Sequence, residues 1–207
     1  MTKVKICGIT NVEDALAACE AGADALGFVF APEAKRRNRH IEPEDARAIV
    51  EQLPPFVTTV AVCVNEPVER LAQVLSFVDC IQFHGDEDPA AVGSMPWLAI
   101  KAFRTGPEFS IEEMLRYPCR AYLLDAYSGE GRGGTGQVCD WEIAKEAVAT
   151  GKRIILAGGL TPENVAEAVR AVRPYAVDVS GGVEAAPGKK DHERIRQFIR
   201  NVKTALA

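Results

Sequence analysis

No uninterrupted apolar run in the 207 residues approaches the roughly 20 that a membrane-spanning helix needs, so no membrane partner is expected. Positive charge is not in excess either. Lys and Arg number 24 against 29 Asp and Glu, a formal net charge of −5. This argues against a general nucleic-acid partner, while a locally positive pocket could still take a small anion. Met1-Thr2-Lys3-Val4-Lys5 leads straight into an apolar strand pattern, without the hydrophobic region and cleavage site of a secretory leader. The six cysteines, at 7, 19, 63, 80, 119 and 139, form no Cys-x-x-Cys pair. Neither a metal site nor a disulfide framework is therefore expected, and a reducing cytoplasm is the simplest location. Low-complexity segments, linkers and internal boundaries are missing too. With this length, that predicts a single domain over 1–207 that removes roughly 70% of its unfolded surface from water.

What is present is a regular alternation. Short apolar runs at Val4–Cys7, Ala25–Phe30, Thr58–Val64, Cys80–Phe83, Leu98–Phe103, Ala121–Asp125, Arg153–Ala157 and Ala176–Val179 read as strands. Many are continuous rather than alternating, as strands covered on both faces of a parallel sheet are. Between them the spacing is helical: Val12/Ala15/Leu16/Cys19, Ala46/Ile49/Val50/Leu53, Val68/Leu71/Ala72/Leu75, Val165/Ala168/Val169/Val172 and Ile195/Phe198/Ile199/Val202 each form one apolar stripe. Thr10-Asn11-Val12-Glu13 reads as a capping box, and Thr161-Pro162 as an N-cap followed by proline at the first helical position. The fourth and fifth helices are the weakest, at Asp88–Met95 and Ser110–Tyr117. Eight strand–helix units in this length predict an α/β fold, a single-domain (β/α)8 TIM barrel. An open doubly wound sheet is the rival, but the Gly-x-Gly-x-x-Gly turn after its first strand is missing.

In such a barrel, chemistry belongs to the C-terminal ends of the strands. Those ends hold Cys7-Gly8, the run Lys35 to Arg39, Asn65, His84-Gly85, Asp125, Gly158-Gly159 and Ser180-Gly181-Gly182. Paired glycines after strands seven and eight either turn the chain or bring backbone N–H groups to a phosphate. Cys7 is either a small buried hydrophobe or a proton acceptor beside a helix start that favours its thiolate. Asp125 is a loop cap or an acid–base group, and with Cys7 it would make a proton-transfer pair across the mouth. Arg36 and Arg39 belong to a solvated charge cluster or clasp a carboxylate. His84 either orients substrate or sits satisfied in the rim. Residues 128–136, rich in glycine, lack the Gly-Lys-Ser/Thr ending of a P-loop and read as a lid or a plain surface loop.

Taken in order, Lys5-Ile6-Cys7-Gly8-Ile9-Thr10, Gly27-Phe28-Val29-Phe30, Gln82-Phe83-His84-Gly85, Gly133-Gly134-Thr135-Gly136, Leu156-Ala157-Gly158-Gly159-Leu160-Thr161-Pro162-Glu163-Asn164 and Val177-Asp178-Val179-Ser180 resemble the phosphoribosylanthranilate isomerases over essentially the whole chain. The resemblance implies a (β/α)8 barrel that carries out an Amadori rearrangement in tryptophan biosynthesis without a cofactor. The substrate would be a small phosphosugar, N-(5-phosphoribosyl)anthranilate, and the product 1-(2-carboxyphenylamino)-1-deoxyribulose 5-phosphate. It assigns Cys7 as general base and Asp125 as general acid, with an arginine after strand two on the anthranilate carboxylate. Gly158, Gly159, Ser180 and Gly181 would hold phosphate, and Asp178 would lie near the sugar. Monomer and homodimer both remain open.

Two features depart from the family's pattern. Val179-Ser180-Gly181-Gly182-Val183 stands where Val-Ser-Ser-Gly-Val is expected, which removes one hydroxyl from the phosphate loop. The loop after strand two is longer than usual. Counting forward from Phe30 favours Arg36 for the carboxylate, and counting back from Pro43-Glu44 favours Arg39. Two other readings stay in view. A histidine-pathway ribotide isomerase would carry an acidic residue where Cys7 stands and an internal repeat of the phosphate loop. A non-catalytic phosphosugar-binding barrel would not need Cys7 and Asp125.

Overall fold

The computed structural model describes residues 1–126 and 139–206. The glycine-rich segment read as a lid lies outside the described residues, as does Gly133-Gly134-Thr135-Gly136. Eight parallel strands close on themselves: β1 Lys3–Cys7, β2 Ala25–Val29, β3 Thr58–Cys63, β4 Cys80–Phe83, β5 Leu98–Arg104, β6 Ala121–Asp125, β7 Ile154–Leu156 and β8 Ala176–Val179, with β8 paired back to β1. Helices alternate with them: α1 Val12–Ala21, α2 Pro43–Val50, α3 Val68–Val74, α4 Pro89–Gly93, α5 Ile111–Leu115, α6 Trp141–Ala149, α7 Val165–Val172 and α8 His192–Thr204. The strands agree with the sequence reading to within a residue or two at each end. The fourth and fifth helices are short, five residues each.

Closure divides the apolar residues into two groups. Ile6, Phe28, Leu156, Val177 and their alternates pack outward against the helices, including Val165, Val169 and Val172 of α7. Val60, Ile100, Leu123, Ile155 and Ala176 pack in a separate cluster inside the barrel. The register fixes which polar residues share that interior. Lys5 is opposite Ala25 on one side and Asp178 on the other, and Cys7 is opposite Gly27. Because side chains alternate with a period of two, Lys5, Cys7 and Asp178 lie on the inward face with the second cluster.

Helix starts are fixed mostly by acidic and hydroxyl side chains. Asp88, Ser110, Asp140 and Asp191 each accept backbone N–H groups of the first turn, a contribution of about 1 kcal/mol per cap. The first predicted box is displaced by one residue. Asn11, not Thr10, caps α1, accepting from Asp14 N at 2.8 Å and donating to Asp14 Oδ2 at 2.9 Å. Thr10 instead donates to the Gly188 carbonyl at 2.9 Å. Thr161 does accept from Glu163 N at 3.3 Å, but it leads a separate turn and regular α7 begins only at Val165.

Two elements were not foreseen. Pro32–Arg37 forms a 3-10 turn that stops at Asn38, whose φ of 51° is tolerated because asparagine enters the left-handed region readily. Glu184–Ala186 and Lys189–Lys190 form a small hairpin, β9 and β10, after β8. Both bring charged residues to the mouth of the barrel.

Candidate active site

A cleft of about 1240 Å³ opens at the C-terminal ends of the strands. Cys7, Arg36, Arg39, His84, Asp125, Gly158, Gly159, Asp178, Ser180 and Gly181 all line it, whereas Gly8, Lys35, Asn65 and Gly85, read at the same strand ends, do not. Sequence spacing alone could not show this, because these residues come from β1, β6, β8 and the loops after β2, β4, β7 and β8. Among the described residues, no group of His, Cys, Asp and Glu is placed to hold a metal ion.

Cys7 ends β1 and is buried. The next helix, α1, begins at Val12 with Asn11 as its cap, five residues further along the chain. The thiol's immediate surroundings therefore matter more than its place in the sequence. Burial pushes the Cys7 thiol up; the Lys5 ammonium pulls it down, Asp178 pushes it up, and Lys190 pulls it down, for a net rise. Lys5 itself is almost fully buried and lies 2.8 Å from Asp178 Oδ1. Burial would lower its pKa, but Asp178 and Cys7 outweigh that and keep it above the ordinary lysine value.

Asp125 ends β6 across the cleft. Its Oδ1 accepts from Ala126 N at 2.9 Å, and its Oδ2 lies 3.6 Å from His84 Nε2. Gln82 Nε2 lies 3.2 Å from His84 Nδ1. When Gln82 donates there, the imidazole proton is on Nε2, the nitrogen that faces Asp125. His84 thus stands between Gln82 and the carboxylate. Gln82 Oε1 is buried with no hydrogen-bond partner among the described residues, an acceptor on the wall of the cleft.

The two arginines differ sharply. Arg36 sits exposed on the 3-10 turn. Arg39 follows Asn38 and is largely buried, its Nε and Nη2 donating to Glu184 Oε1 and Oε2 at 2.9 and 2.8 Å. Glu184 also faces Lys190 Nζ at 3.0 Å. Burial would push the Glu184 carboxyl up, but Arg39 and Lys190 hold it below the usual range. Lys190, with no exposed side-chain surface, also donates to the Cys7 carbonyl at 2.6 Å and the Ser180 carbonyl at 3.3 Å. It ties β10 to the ends of β1 and β8.

The glycines bring the two loops together. Gly158 has φ +79°, and a β-carbon there would come within 2.7 Å of Ala126 Cβ at the end of β6. At Gly182 a β-carbon would meet the Leu160 carbonyl carbon at 2.9 Å, so the loops after β7 and β8 are in contact. Gly181 leaves room for Arg39, whose Nη2 would lie 2.8 Å from a β-carbon. The departure from the family's serine therefore lies against the guanidinium. Arg194, at the start of α8, lines the same corner and donates Nε to the Gly182 carbonyl at 3.0 Å.

Residues 4–201 match the family described as "N-(5'phosphoribosyl)anthranilate (PRA) isomerase". The chain belongs to that family. An N-(5'-phosphoribosyl)anthranilate isomerase of Trichlorobacter lovleyi is 54% identical over 208 residues, covering 100% of both chains. Among solved structures, a phosphoribosyl anthranilate isomerase in complex with reduced 1-(o-carboxyphenylamino)-1-deoxyribulose 5-phosphate superposes with TM-score 0.85 at 45% identity, covering 98% of this chain and 99% of the other. Monomers generated from the dimeric enzyme of Thermotoga maritima superpose with TM-score 0.86 at 44% identity, with the same coverage. Gln82, Glu184 and Arg194 line the cleft, and Lys5 and Lys190 contact Asp178, Glu184 and the Cys7 carbonyl beside it; the sequence reading singled out none of the five. Lys5 carried a signal, since it precedes Cys7 by two residues and so shares its face of the strand. Glu184, Lys190 and Arg194 carried none, because only the hairpin after β8 brings Glu184 and Lys190 to the cleft and the first turn of α8 brings Arg194.

Proposed function

We propose that the chain isomerises N-(5-phosphoribosyl)anthranilate to 1-(2-carboxyphenylamino)-1-deoxyribulose 5-phosphate, the Amadori step of tryptophan biosynthesis. The observation that carries this reading is the placement of Cys7 and Asp125 at the ends of two strands, β1 and β6, in one cleft with a glycine-lined corner and a held arginine.

Asp125 delivers a proton to the furanose ring oxygen. The C1′–O bond breaks while the nitrogen lone pair forms the C1′=N bond of a Schiff base. Cys7, as thiolate, removes the C2′ proton, and the electron pair returns to nitrogen through a C1′=C2′ enolamine. Tautomerisation to the ketone completes the product. Each positioned acid or base contributes roughly 10² to 10⁴ in rate. Gly158, Gly159, Ser180 and Gly181 bind the phosphate through close-approaching backbone, as loops seven and eight of such barrels commonly do. Arg39 takes the anthranilate carboxylate, and His84 and Asp178 contact the sugar. Arg39 is favoured over Arg36 because Glu184 already fixes the orientation of its guanidinium.

A histidine-pathway isomerase and a non-catalytic barrel are not favoured, since the family match and the Cys7–Asp125 pairing both support the anthranilate substrate. The chain acts on its small phosphosugar as a monomer or homodimer, with neither nucleic acid nor membrane as partner. All six cysteines are unpaired thiols, and no helix among the described residues is long and apolar enough to cross a membrane. A cytoplasmic location fits the thiols. The test is to generate phosphoribosylanthranilate in situ and follow its fluorescence. Turnover to the ketose is expected; tight binding with unchanged substrate would move the chain to another phosphosugar.

A further inference from the structure

The pairing of a thiol base with a carboxylic acid leaves one question of charge. A thiolate in a buried position needs a cation, and the helix start that the sequence offered for this lies several residues away, at Val12.

Three cations stand near the C-terminal end of β1. Lys190 approaches from β10, but its ammonium is directed at the Cys7 and Ser180 carbonyls and at Glu184 rather than at the thiol. Arg39 approaches from the loop after β2 and is held in a fork by the same Glu184. Across the mouth stand His84 and Asp125. The remaining cation is Lys5. It precedes Cys7 by two residues on β1 and therefore projects to the same side of the strand. The neighbouring strand has Gly27 opposite Cys7. A β-carbon at Gly27 would lie 2.8 Å from Cys7 Sγ and 3.0 Å from Lys5 Nζ. Thiol and ammonium thus crowd the same small space, and it exists because residue 27 lacks a side chain.

We infer that Lys5 is a positioning residue for the isomerisation, its ammonium seated between Asp178 and Cys7 to supply the counter-charge for the Cys7 thiolate. The inference rests on the reading of Cys7 as the base. Asp178 and the Cys7 thiolate together keep Lys5 charged inside the barrel, where a lone ammonium would be costly. Asp178 also tempers Lys5. With the thiol protonated, the Asp178–Lys5–Cys7 cluster is neutral, and with the thiolate it carries one negative charge. Removing the Lys5 charge makes thiolate formation harder, whereas removing the Asp178 charge makes it easier. The balance of directions at Cys7, with Lys5 lowering and Asp178 raising, agrees with this geometry.

The experiment is a pH profile of Cys7 alkylation by iodoacetamide, without substrate, read on the Cys7 peptide by mass spectrometry. Wild type, Lys5→Met and Asp178→Asn are compared, each checked for folding by circular dichroism. For Lys5→Met the midpoint is expected to rise by at least about one pH unit, slowing alkylation near neutrality about tenfold. For Asp178→Asn it is expected to fall, with faster alkylation. Unchanged midpoints in both variants, or shifts in the same direction, would overturn the inference. If Lys5→Met does not fold, Asp178→Asn decides alone, and a midpoint that does not fall overturns it. Isomerase activity does not enter this readout. An inactive wild type would sink the proposed reaction and leave the Lys5–Cys7 coupling to be judged separately.

Discussion

Glu184 holds Arg39 with both carboxylate oxygens, at 2.9 Å from Nε and 2.8 Å from Nη2, so the guanidinium is oriented before any ligand arrives. An arginine fixed this way loses less freedom on clasping a carboxylate than one on an exposed turn. Arg36, on the 3-10 turn, has no such holder among the interactions described for it. Arg39→Met is therefore expected to raise KM by about 10- to 100-fold, the range for a lost charged hydrogen bond of roughly 1.5–3 kcal/mol. Arg36→Met is expected to stay near wild type. Steady-state kinetics on each variant checks this, and equal KM values would remove the assignment.

The same carboxylate makes stability depend on acid. Glu184 is held below the usual carboxylate range by Arg39 and Lys190 against the opposing effect of burial. Asp14 is held low against burial too, by Lys190 N–H, Asn11 and His192. A depressed folded value stabilises above the unfolded pKa and is lost as pH falls through the folded one. Urea midpoints are expected to hold steady near neutrality and to fall as pH drops below about 4.5. Glu184→Gln should be the less stable protein at pH 7, and its deficit should narrow at acid pH. A deficit independent of pH would show that its charge is not involved.

Gly158 faces a backbone constraint as well as a spatial one. Its φ is +79°, and a β-carbon would press on Ala126. Gly158→Ala is expected to lower stability by about 1–3 kcal/mol and to weaken binding of inorganic phosphate by calorimetry. Unchanged melting and unchanged phosphate binding would mean that the loop after β7 has slack.

The strands were legible in the sequence because burial on both faces leaves continuous runs such as Tyr122-Leu123-Leu124 and Ile154-Ile155-Leu156. Reading the strand ends then found Cys7, Asp125 and the glycine pairs, since barrel geometry makes one end of every strand a neighbour of every other. Helix starts were less legible. Thr10-x-x-Glu13 and Asn11-x-x-Asp14 both satisfy a capping pattern, and only the chain's exit from β1 selects Asn11. Glu184 and Lys190 could not be found from sequence at all. Their role comes from a hairpin of three and two residues that turns a charged surface stretch inward. Arg39 was found only as one of two candidates, and the partner that distinguishes it lies 145 residues away.

The central claim is that Cys7 and Asp125 divide the proton transfers between them. The direct measurement is kcat for loss of phosphoribosylanthranilate fluorescence by wild type, Cys7→Ala and Asp125→Asn. The account predicts that each variant keeps its fold and its affinity for the phosphosugar while kcat falls by roughly 10² to 10⁴. A variant that binds substrate and turns it over near the wild-type rate would contradict the role given to that residue.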